Sequence, residues 1–378
     1  MILFIGHEAS LTGAPKSLLI IISHIKKNYR EPIIIVLKQS GELIKEYEKL
    51  GKVLIWEKPW YNEQNFFKRI NNRFFDSNSY RQKKIKKYFK KSPPKLIFNN
   101  TIANGNILKS LSFLMVPVIS RLPELEFVMK IYDVRHKSTK NVLKYSSYFI
   151  TPSISGKKNL VTNFKIPKNK VEVSYGTLDP KNLVNNSQKI SKKELGIKED
   201  SFIVGTCGTL GWRKGSDLFL RVAKQLIEEE RIIFIWVGAD KSLGSYYEFI
   251  YEIEKLNLGN KVMVINRNKE ILKYYKIMDI FLMTSREDPF PLVNLEAAIN
   301  NVPIICFKDS GGSEEFVDAS LGFVVPYADT NQMSKRILEL YSSSDLKLKL
   351  SNGAFKKAEN FLSVNQFKII EETIEKYI

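Results

Sequence analysis

The stretch that decides the fold is SFIVGTCGTLGWRKGSDLFLRVAKQLIEEERIIFIWVGA, residues 201–239. Its ends, SFIVGTCG and IIFIWVGA, are short apolar runs with β-branched residues, which predict two buried strands. Between them, DLFLRVAKQLIEEE has the apolar spacing of an amphipathic helix. A strand, a helix and a second strand in this order predict a βαβ unit and therefore a parallel sheet.

The same alternation continues on both sides of this stretch. In the first half the predicted strands are MILFIG, EPIIIVLK, KVLIWE, KLIFNN, VPVISR and SYFITPS, separated by helices such as PKSLLIIISHIKK and IKEYEKLG. In the second half, KVMVIN, IFLMTS and VPIICF are further predicted strands. A length of 378 residues suits two domains, and the polar segment TLDPKNLVNNSQ after Gly176 suits a linker.

The predicted fold class is therefore α/β, with two doubly wound sheets. The domains are residues 1–178 and 179–360, and residues 361–378 form an amphipathic helix that packs back across the domains.

Charge is divided unevenly between the two halves. The chain carries a net charge of +19, but residues 1–178 contain 32 basic and 12 acidic residues, a net +20, and the rest of the chain is close to neutral. The first half is therefore expected to contact an anionic partner.

The cysteines and histidines predict no metal site. Cys207 and Cys306 lie in apolar, strand-like runs and are expected to be buried free thiols. The three histidines are scattered and no zinc-type spacing occurs.

The N-terminus lacks the pattern of a signal peptide and no apolar run approaches the ~20 residues of a membrane span. The expected location is cytoplasmic, with peripheral attachment at the membrane.

The basic segment 57–95 interrupts the alternation. It carries twelve basic and three acidic residues among several aromatic ones. One hypothesis is a solvated helical hairpin that covers a sheet edge, and the other is an amphipathic patch that lies on anionic lipid. Nucleic-acid binding is the least favoured, because no reader motif accompanies the charge.

Two glycine-containing turns follow predicted strands. In GHEASLTGAPKSLL, Gly13–Ala14 precedes a helix that begins near Pro15, which suits close approach of a ligand to backbone amides, or else an ordinary turn. No GxGxxG motif is present, which argues against a nicotinamide or flavin enzyme.

In VGTCGTLGWRKGSDLFL, Arg213 and Lys214 suit a diphosphate, or else a solvated turn, with Ser216 as the helix N-cap.

Two further motifs lie at strand ends of the second half. In KDSGGSEEFV, Gly311–Gly312 either expose amides to a phosphate or precede a helix with two first-turn acids. In SREDPFPLVNLEAA, residues 285–298, Asp288 and Glu296 bracket a proline-bounded turn into a helix. Carboxylates accept paired hydrogen bonds from vicinal hydroxyls, so this motif points to a sugar, with helix capping as the alternative.

Together these residues resemble the retaining, GT-B-fold nucleotide-sugar glycosyltransferases of family 4, the group 1 glycosyl transferases. The most specific likeness is the family's pair of acids separated by seven residues, matched by Asp288 and Glu296. The RKG of residues 213–215, the GGxxE of residues 311–315 and the Gly13–Ala14 loop add to it. The likeness extends over the whole chain and is strongest over 202–330. It implies two Rossmann-like domains with an interdomain cleft.

The resemblance also implies roles for individual residues. Glu296 would bind the ribose and Asp288 the hexose, while Arg213 and Lys214 would neutralise the diphosphate leaving group. The amides around Pro291 would line the sugar–phosphate site. The predicted catalytic residues are Arg213, Lys214 and Asp288; the predicted donor-binding residues are Gly13, Ala14, Asn266, Arg267, Glu287, Phe290, Pro291, Leu292, Glu296, Gly311 and Gly312, of which Asn266 and Arg267 would contact the base.

Three positions depart from the family pattern. Asp288 is shorter than the more usual Glu, Thr209 stands where many members have Arg, and Pro123 in RLPELEF stands where the family has histidine. The predicted function is retaining, metal-independent transfer of a hexose from a nucleotide-diphosphate sugar, with UDP favoured over GDP and no cofactor.

The expected acceptor is a saccharide, carried on polyprenyl diphosphate, in bacterial surface polysaccharide synthesis. The alternative hypothesis, motivated by Pro123 and Thr209, is a weakly active or inactive partner that binds nucleotide sugar and assists another transferase. A phosphorylase would need a pyridoxal phosphate lysine, for which the sequence has no motif.

Overall fold

The computed structural model describes residues 1–57, 78–178, 190–267, 270–363 and 365–378. Unit 1 consists of Met1–Tyr175 together with Gln366–Ile378, and unit 2 of Gly176–Asn365. Residues 58–77, within the basic segment 57–95, and residues 179–189, which include most of the expected linker, lie outside the described residues.

Unit 1 is built on a parallel sheet in the order β3-β2-β1-β4-β5-β6-β7. Its strands are β1 (Ile2–Gly6), β2 (Ile33–Leu37), β3 (Lys52–Ile55), β4 (Leu96–Asn100), β5 (Val118–Arg121), β6 (Tyr148–Thr151) and β7 (Val171–Val173). Its helices are α1 (Gly13–Asn28), α2 (Ile44–Leu50), α3 (Asn78–Lys91), α4 (Gly105–Leu111), α5 (Glu126–His136), α6 (Ser138–Tyr145), α7 (Ile154–Thr162) and, at the end of the chain, α15 (Lys368–Glu375). The six strands predicted in the first half are confirmed as β1–β6.

Both faces of this sheet are buried, which explains why its strands are continuous apolar runs. Leu3 and Ile5 of β1 join one core, and Ile2 and Phe4, on the other face, join a second. The second core also contains Ile370 and Ile374 of α15. On the rim of α15, Glu371 lies 2.8 Å from the His24 ring nitrogen and Phe367 stacks on the same ring at 4.1 Å. The last helix therefore packs on α1 within unit 1.

Unit 2 is built on a parallel sheet in the order β10-β9-β8-β11-β12-β13. Its strands are β8 (Phe202–Cys207), β9 (Ile232–Ala239), β10 (Val262–Asn266), β11 (Ile280–Met283), β12 (Ile304–Phe307) and β13 (Gly322–Val325). Its helices are α8 (Ser216–Gln225), α9 (Gly244–Lys255), α10 (Leu272–Tyr275), α11 (Leu292–Ile299), α12 (Ser313–Phe316), α13 (Thr330–Ser342) and α14 (Ser344–Ser363).

The core of unit 2 lies between α8 and the strands that flank it. The Phe219 ring meets Phe234 at 5.4 Å and Trp236 at 5.2 Å, both edge to face, a favourable aromatic geometry. Cys207 and Cys306 are buried and are not joined in a disulfide, as predicted. The βαβ unit at residues 201–239 is confirmed as β8, α8 and β9, although α8 ends at Gln225, earlier than the apolar pattern suggests.

Each sheet reverses its strand order beside its first strand, between β1 and β4 in unit 1 and between β8 and β11 in unit 2. Ligands of open parallel sheets bind beyond the carboxyl ends of the strands at such a reversal. These two edges are therefore where functional side chains are expected. Within the described ranges, no helix has the length and apolar character needed to cross a membrane.

Candidate functional site

The strand reversal of unit 2 brings together the loops that follow β8 and β11. The two strands are paired in parallel, with Phe281 opposite Gly205, so their carboxyl ends lie at the same edge. The basic turn at 208–215 follows β8 and the SREDPFP turn follows β11. Sequence motifs 74 residues apart thus meet at one place.

The basic turn depends on Gly215. Residues Trp212–Lys214 form a short 3₁₀ turn, and Gly215 follows with φ of +67°. A Cβ at Gly215 would lie 1.9 Å from the carbonyl oxygen of Thr284, which no side chain permits. Gly215 also precedes α8, whose first residue is Ser216, so the prediction of Ser216 as N-cap is wrong by one position.

Three predicted residues form the charged centre of the site. Lys214 donates from Nζ to Asp288 Oδ2 at 2.5 Å, and Arg213 Nη1 lies 3.5 Å from the same oxygen. Arg213 also donates to the carbonyl oxygen of Glu287 at 2.8 Å. Burial alone would raise the pKa of Asp288, but Lys214 and Arg213 outweigh it and hold that pKa below its ordinary value. Asp288 is therefore a buried carboxylate fixed between two cations.

Arg286 fastens the two loops and was not singled out by the sequence. Its guanidinium donates to both carboxylate oxygens of Asp217 at 2.7 Å and to the Trp212 carbonyl oxygen at 2.8 Å. It also lies 5.1 Å from the centre of the Trp212 ring. A forked Arg–carboxylate pair has defined geometry, so Arg286 and Asp217 hold the basic turn against the acidic one. A single sequence gives no signal for a partner 69 residues away.

The glycine pair after β12 completes the backbone frame. The amide of Asp288 donates to the Ser310 carbonyl oxygen at 2.8 Å, and the amide of Gly312 donates to the Asp288 carbonyl oxygen at 2.9 Å. Gly311 and Asp288 also form an isolated parallel β-bridge. The Gly312 amide is thus occupied within the protein, which disfavours one of the two alternatives for this loop, presentation of this amide to a phosphate. A Cβ at Gly312 would lie 2.2 Å from the Pro289 carbonyl oxygen, so glycine is needed for this contact.

Helix α11 carries the second acid of the motif. Tyr275 donates from its hydroxyl to Glu296 Oε2 at 2.7 Å. Burial first, and then Cys207 and Glu296, raise the pKa of Tyr275 well above its ordinary value, so the hydroxyl stays protonated and remains a donor. Tyr275 therefore orients the carboxylate of Glu296, a role that the sequence did not reveal.

Of the residues between the two acids, Phe290 contributes side-chain packing, whereas Pro291 and Leu292 contribute backbone groups. The Phe290 ring stacks on Phe361 of α14 at 5.5 Å, which fixes the turn in the hydrophobic interior. Pro291 precedes the helix, and Leu292 begins it. The first amides of a helix have no acceptor within the helix itself, so the backbone here suits a polar ligand.

Asn266 and Arg267 lie further along the same edge, at the end of β10. Asn266 is exposed, and the Arg267 amide donates to the Ala239 carbonyl oxygen at 2.8 Å. Strand β10 is two positions from β8, which at strand spacing is about 10 Å. The predicted diphosphate residues and the predicted base residues thus lie at the same edge of the sheet, about two strand spacings apart.

Gly13 and Ala14 belong to unit 1. Gly13 begins α1, and among the described residues no atom lies within 4 Å of a Cβ placed on it. Ala14 accepts a hydrogen bond at its carbonyl oxygen from Asn100 Nδ2 at 3.1 Å. The fold of unit 1 does not itself require glycine at position 13.

The strand reversal of unit 1 is built from buried polar side chains that the sequence did not indicate. Asn99, Asn100 and Asn104 are fully buried, and Asn104 donates to Asn99 Oδ1 at 3.0 Å and to the Asn100 carbonyl oxygen at 2.8 Å. Arg121 donates to Asn100 Oδ1 at 3.2 Å, and burial lowers its pKa to about 10. Thr101 has φ of +89°, a strained conformation for a residue other than glycine.

Comparisons with known proteins find glycosyltransferases. Residues 187–357 match the family model of glycosyl transferases group 1. The chain is 23% identical over 250 residues to the capsular polysaccharide biosynthesis glycosyltransferase CapM of Staphylococcus aureus, a match that covers 65% of this chain and 64% of the relative. It is 26% identical over 214 residues to an N-acetylgalactosaminyltransferase of Campylobacter jejuni whose name gives a diphospho-undecaprenol acceptor, covering 56% of each chain.

The chain thus spans less than two thirds of the length of these relatives. Among solved structures, Anabaena Alr3699/HepE in complex with UDP-glucose superposes with a TM-score of 0.77 at 19% identity, covering 99% of both chains. That likeness shows the fold. The chain therefore has the GT-B fold, built from two Rossmann-like units, and its match to the family model of glycosyl transferases group 1 covers residues 187–357, less than half of the chain.

Proposed function

We propose that this protein is a glycosyltransferase that transfers a hexose from a nucleotide-diphosphate sugar to a saccharide acceptor in bacterial surface polysaccharide synthesis. The observation that carries the proposal is the meeting of Lys214, Arg213 and Asp288 at the strand reversal of unit 2, at 2.5 and 3.5 Å. The family match over 187–357 and the capsule and diphospho-undecaprenol relatives support it.

The two cations stabilise the leaving group. When the glycosidic bond to the diphosphate breaks, negative charge develops on the phosphate oxygens, and fixed cations lower the free energy of that transition state. Lys214 has three N–H donors and uses one toward Asp288, so it can hold a phosphate oxygen at the same time. Arg213 binds beside it, through a guanidinium suited to phosphate.

Asp288 and Glu296 bind the two sugars of the donor. Asp288 is fixed between the cations and accepts hydrogen bonds from the hexose hydroxyls close to the bond that breaks. Glu296, oriented by Tyr275, accepts them from the ribose, and the exposed end of β10 at Asn266 and Arg267 receives the base. UDP is favoured, since the Anabaena structure holds UDP-glucose. Glu287, Gly311 and Gly312 support the loop that carries Asp288.

Retention of the anomeric configuration and independence of a divalent metal are part of the proposal. Arg213 and Lys214 supply the positive charge that a metal ion supplies to a diphosphate elsewhere. The acceptor is a saccharide on polyprenyl diphosphate, reached at the inner surface of the membrane. Gly13 and Ala14, at the start of α1 in unit 1, are proposed to contact a ligand through their backbone. The net charge of +20 in residues 1–178 supports an anionic membrane surface as partner.

Donor turnover tests the proposal. Purified protein is incubated with UDP-, GDP-, dTDP- and ADP-hexoses in excess EDTA, and release of nucleoside diphosphate is measured with and without saccharide acceptors. Turnover of a UDP-hexose that Asp288→Asn removes, while Asp309→Asn on an exposed turn leaves it unchanged, is the expected result. NMR of the product anomeric proton reads retention directly.

Binding of a donor without turnover across a broad acceptor panel would contradict the enzyme and favour the alternative, a partner protein that assists another transferase. Pro123 and Thr209 motivate that alternative. A rate restored only by added metal would overturn metal independence alone.

A further inference from the structure

Helix α3 and the segment that follows it carry charge of a single sign. Residues 78–123 contain ten lysines and arginines and no aspartate or glutamate. Five of the lysines are exposed on α3: Lys83, Lys84, Lys87, Lys90 and Lys91. On the other face of this helix, Ile85 and Phe89 are buried in the core. Helix α3 is therefore amphipathic and firmly attached, with a cationic outer surface suited to phosphate.

Apolar side chains project beside these lysines. Met115 is 92% exposed and Phe113 40% exposed, in the turn that follows α4. Lys90 Nζ lies 5.6 Å from the centre of the Phe113 ring, so the cations and the apolar side chains share one surface. The fold buries almost none of the Met115 side chain, so packing does not explain a methionine at position 115. Apolar groups rimmed by charge are typical of an interaction surface.

A cavity of about 210 Å³ adjoins Met115. It is larger than the ~150 Å³ apolar cavity that takes up benzene in another protein. Its lining is Ile97, Leu108, Leu111, Ser112, Met115, Val116, Val118, Lys144 and Tyr145. Six of the nine lining residues have aliphatic or thioether side chains, Ser112 and Tyr145 add hydroxyl groups, and the exposed Lys144 supplies a cation at the rim. A hydrocarbon chain attached to a phosphate matches both parts of this lining.

The cavity lies away from the edge where the buried asparagines are found. Ile97 and Val118 stand at the start of β4 and β5, so the cavity is at the amino-terminal edge of the sheet. The five residues of β4 separate it by about 17 Å from the carboxyl edge. A surface bound at the amino-terminal edge leaves the carboxyl edge of unit 1 accessible.

We propose that this face is an anchor for anionic phospholipid: the α3 lysines hold the headgroup phosphates, Phe113 and Met115 enter the acyl layer, and one acyl chain occupies the cavity. This face is called the anchor surface below. The inference deepens the membrane-surface part of the proposed function. Lipid binding needs no sugar donor, so its outcome is independent of transferase activity.

Vesicle flotation of the full chain tests the anchor surface. The protein should float with vesicles that contain phosphatidylglycerol, and salt should weaken the binding. Met115→Asp should lower the partition coefficient about tenfold or more, and each α3 lysine changed to glutamine about fivefold. Val134→Asp is the matched control, because Val134 is 87% exposed in the same unit and outside the anchor surface. Equal loss in both aspartate variants, or no flotation at low salt, would overturn the proposal.

Two further measurements separate insertion from adsorption. In Met115→Trp, bromines on the acyl chains should quench fluorescence beyond the wild-type level, which arises from four tryptophans. Flotation without this added quenching would mean that the protein adsorbs through its lysines alone, and would overturn insertion.

Monomeric dihexanoyl phosphatidylglycerol should bind one to one by calorimetry. Ser112→Phe, which fills the cavity from its exposed rim, should abolish that binding. Binding unaffected by Ser112→Phe would remove the cavity from the proposal.

Discussion

The carboxyl edges of the two sheets have the same topology but are built from different residues. In unit 2 the edge consists of charged side chains, Arg213, Lys214 and Asp288, on loops whose glycines are fixed by backbone contacts. In unit 1 it consists mainly of fully buried asparagines around one arginine. Charges next to glycines at strand ends are visible in a sequence, whereas asparagines inside a sheet edge are not.

The glycines sharpen this comparison. Gly215 and Gly312 are needed by the fold of unit 2, because a Cβ on either would meet a carbonyl oxygen at 1.9 or 2.2 Å. Gly13 has no such neighbour among the described residues. A glycine that the fold requires says little about a ligand. A glycine that the fold does not require is the better candidate for a ligand contact.

The largest expected effect is on catalysis in unit 2. Lys214→Ala removes the cation nearest Asp288 and should lower donor turnover about 10²- to 10³-fold, since one fixed charge on the leaving group is lost. Steady-state kinetics with the UDP-hexose measure it. Lys335→Ala, an exposed lysine on α13, is the control and should leave the rate unchanged. Equal rates in the two variants would mean that the charged centre does not act on the diphosphate.

The next effect is on stability, at Gly215. Gly215→Ala should lower the free energy of unfolding of unit 2 by about 2–4 kcal/mol, because it adds a clash with Thr284 to an unfavourable backbone conformation. Gly196→Ala is a matched control, since Gly196 has a similar φ of +71° and no described atom within 4 Å of its Cβ position. It should cost only about 1 kcal/mol. Urea titration of both variants decides; equal losses would show that the contact with Thr284 is not tight.

The same contrast explains what the sequence could and could not predict. The strands β1–β6, β8–β12 and the charged centre were predicted, because continuous apolar runs and charges beside glycines are local signals. The edge strands β7 and β13 were not predicted: β7 has only three residues, one of them Glu172, and β13 begins with a glycine and is partly exposed. The contacts Arg286–Asp217 and Tyr275–Glu296 join residues 69 and 21 positions apart. Such pairs depend on tertiary structure, which no local pattern records.

A smaller effect is expected where a buried hydroxyl orients an acid. Tyr275→Phe removes the hydrogen bond to Glu296 and should raise the donor dissociation constant about fivefold, with little change in kcat. Calorimetry with UDP measures it, since the ribose is retained in the product. Tyr247→Phe, at an exposed position on α9, is the control. A change in kcat with unaltered UDP affinity would place Tyr275 near the reacting bond instead.

Asp288 should also make unit 2 sensitive to acid. Its pKa in the folded state lies below the ordinary value of about 3.9, so its stabilisation is fully present above that value and is lost as pH falls through the folded pKa. The stability difference between wild type and Asp288→Asn should therefore be largest near neutral pH and shrink toward pH 3. Urea midpoints measured across this range check the sign. A difference that grows on acidification would show that the cations do not stabilise the carboxylate.

The smallest effect on stability, and the sharpest test of the comparison, is expected at Gly13. Gly13→Ala adds a methyl group into open space at the start of α1, so the free energy of unfolding should stay within about 0.5 kcal/mol of wild type. Turnover should nevertheless fall, because the added Cβ keeps the ligand from the backbone. Lost turnover with unchanged stability assigns Gly13 to a ligand, which is the reverse of Gly215, where both are lost together. Unchanged turnover would leave Gly13 as an ordinary residue of a strand–helix turn, and the carboxyl edge of unit 2 would then account for donor binding without it.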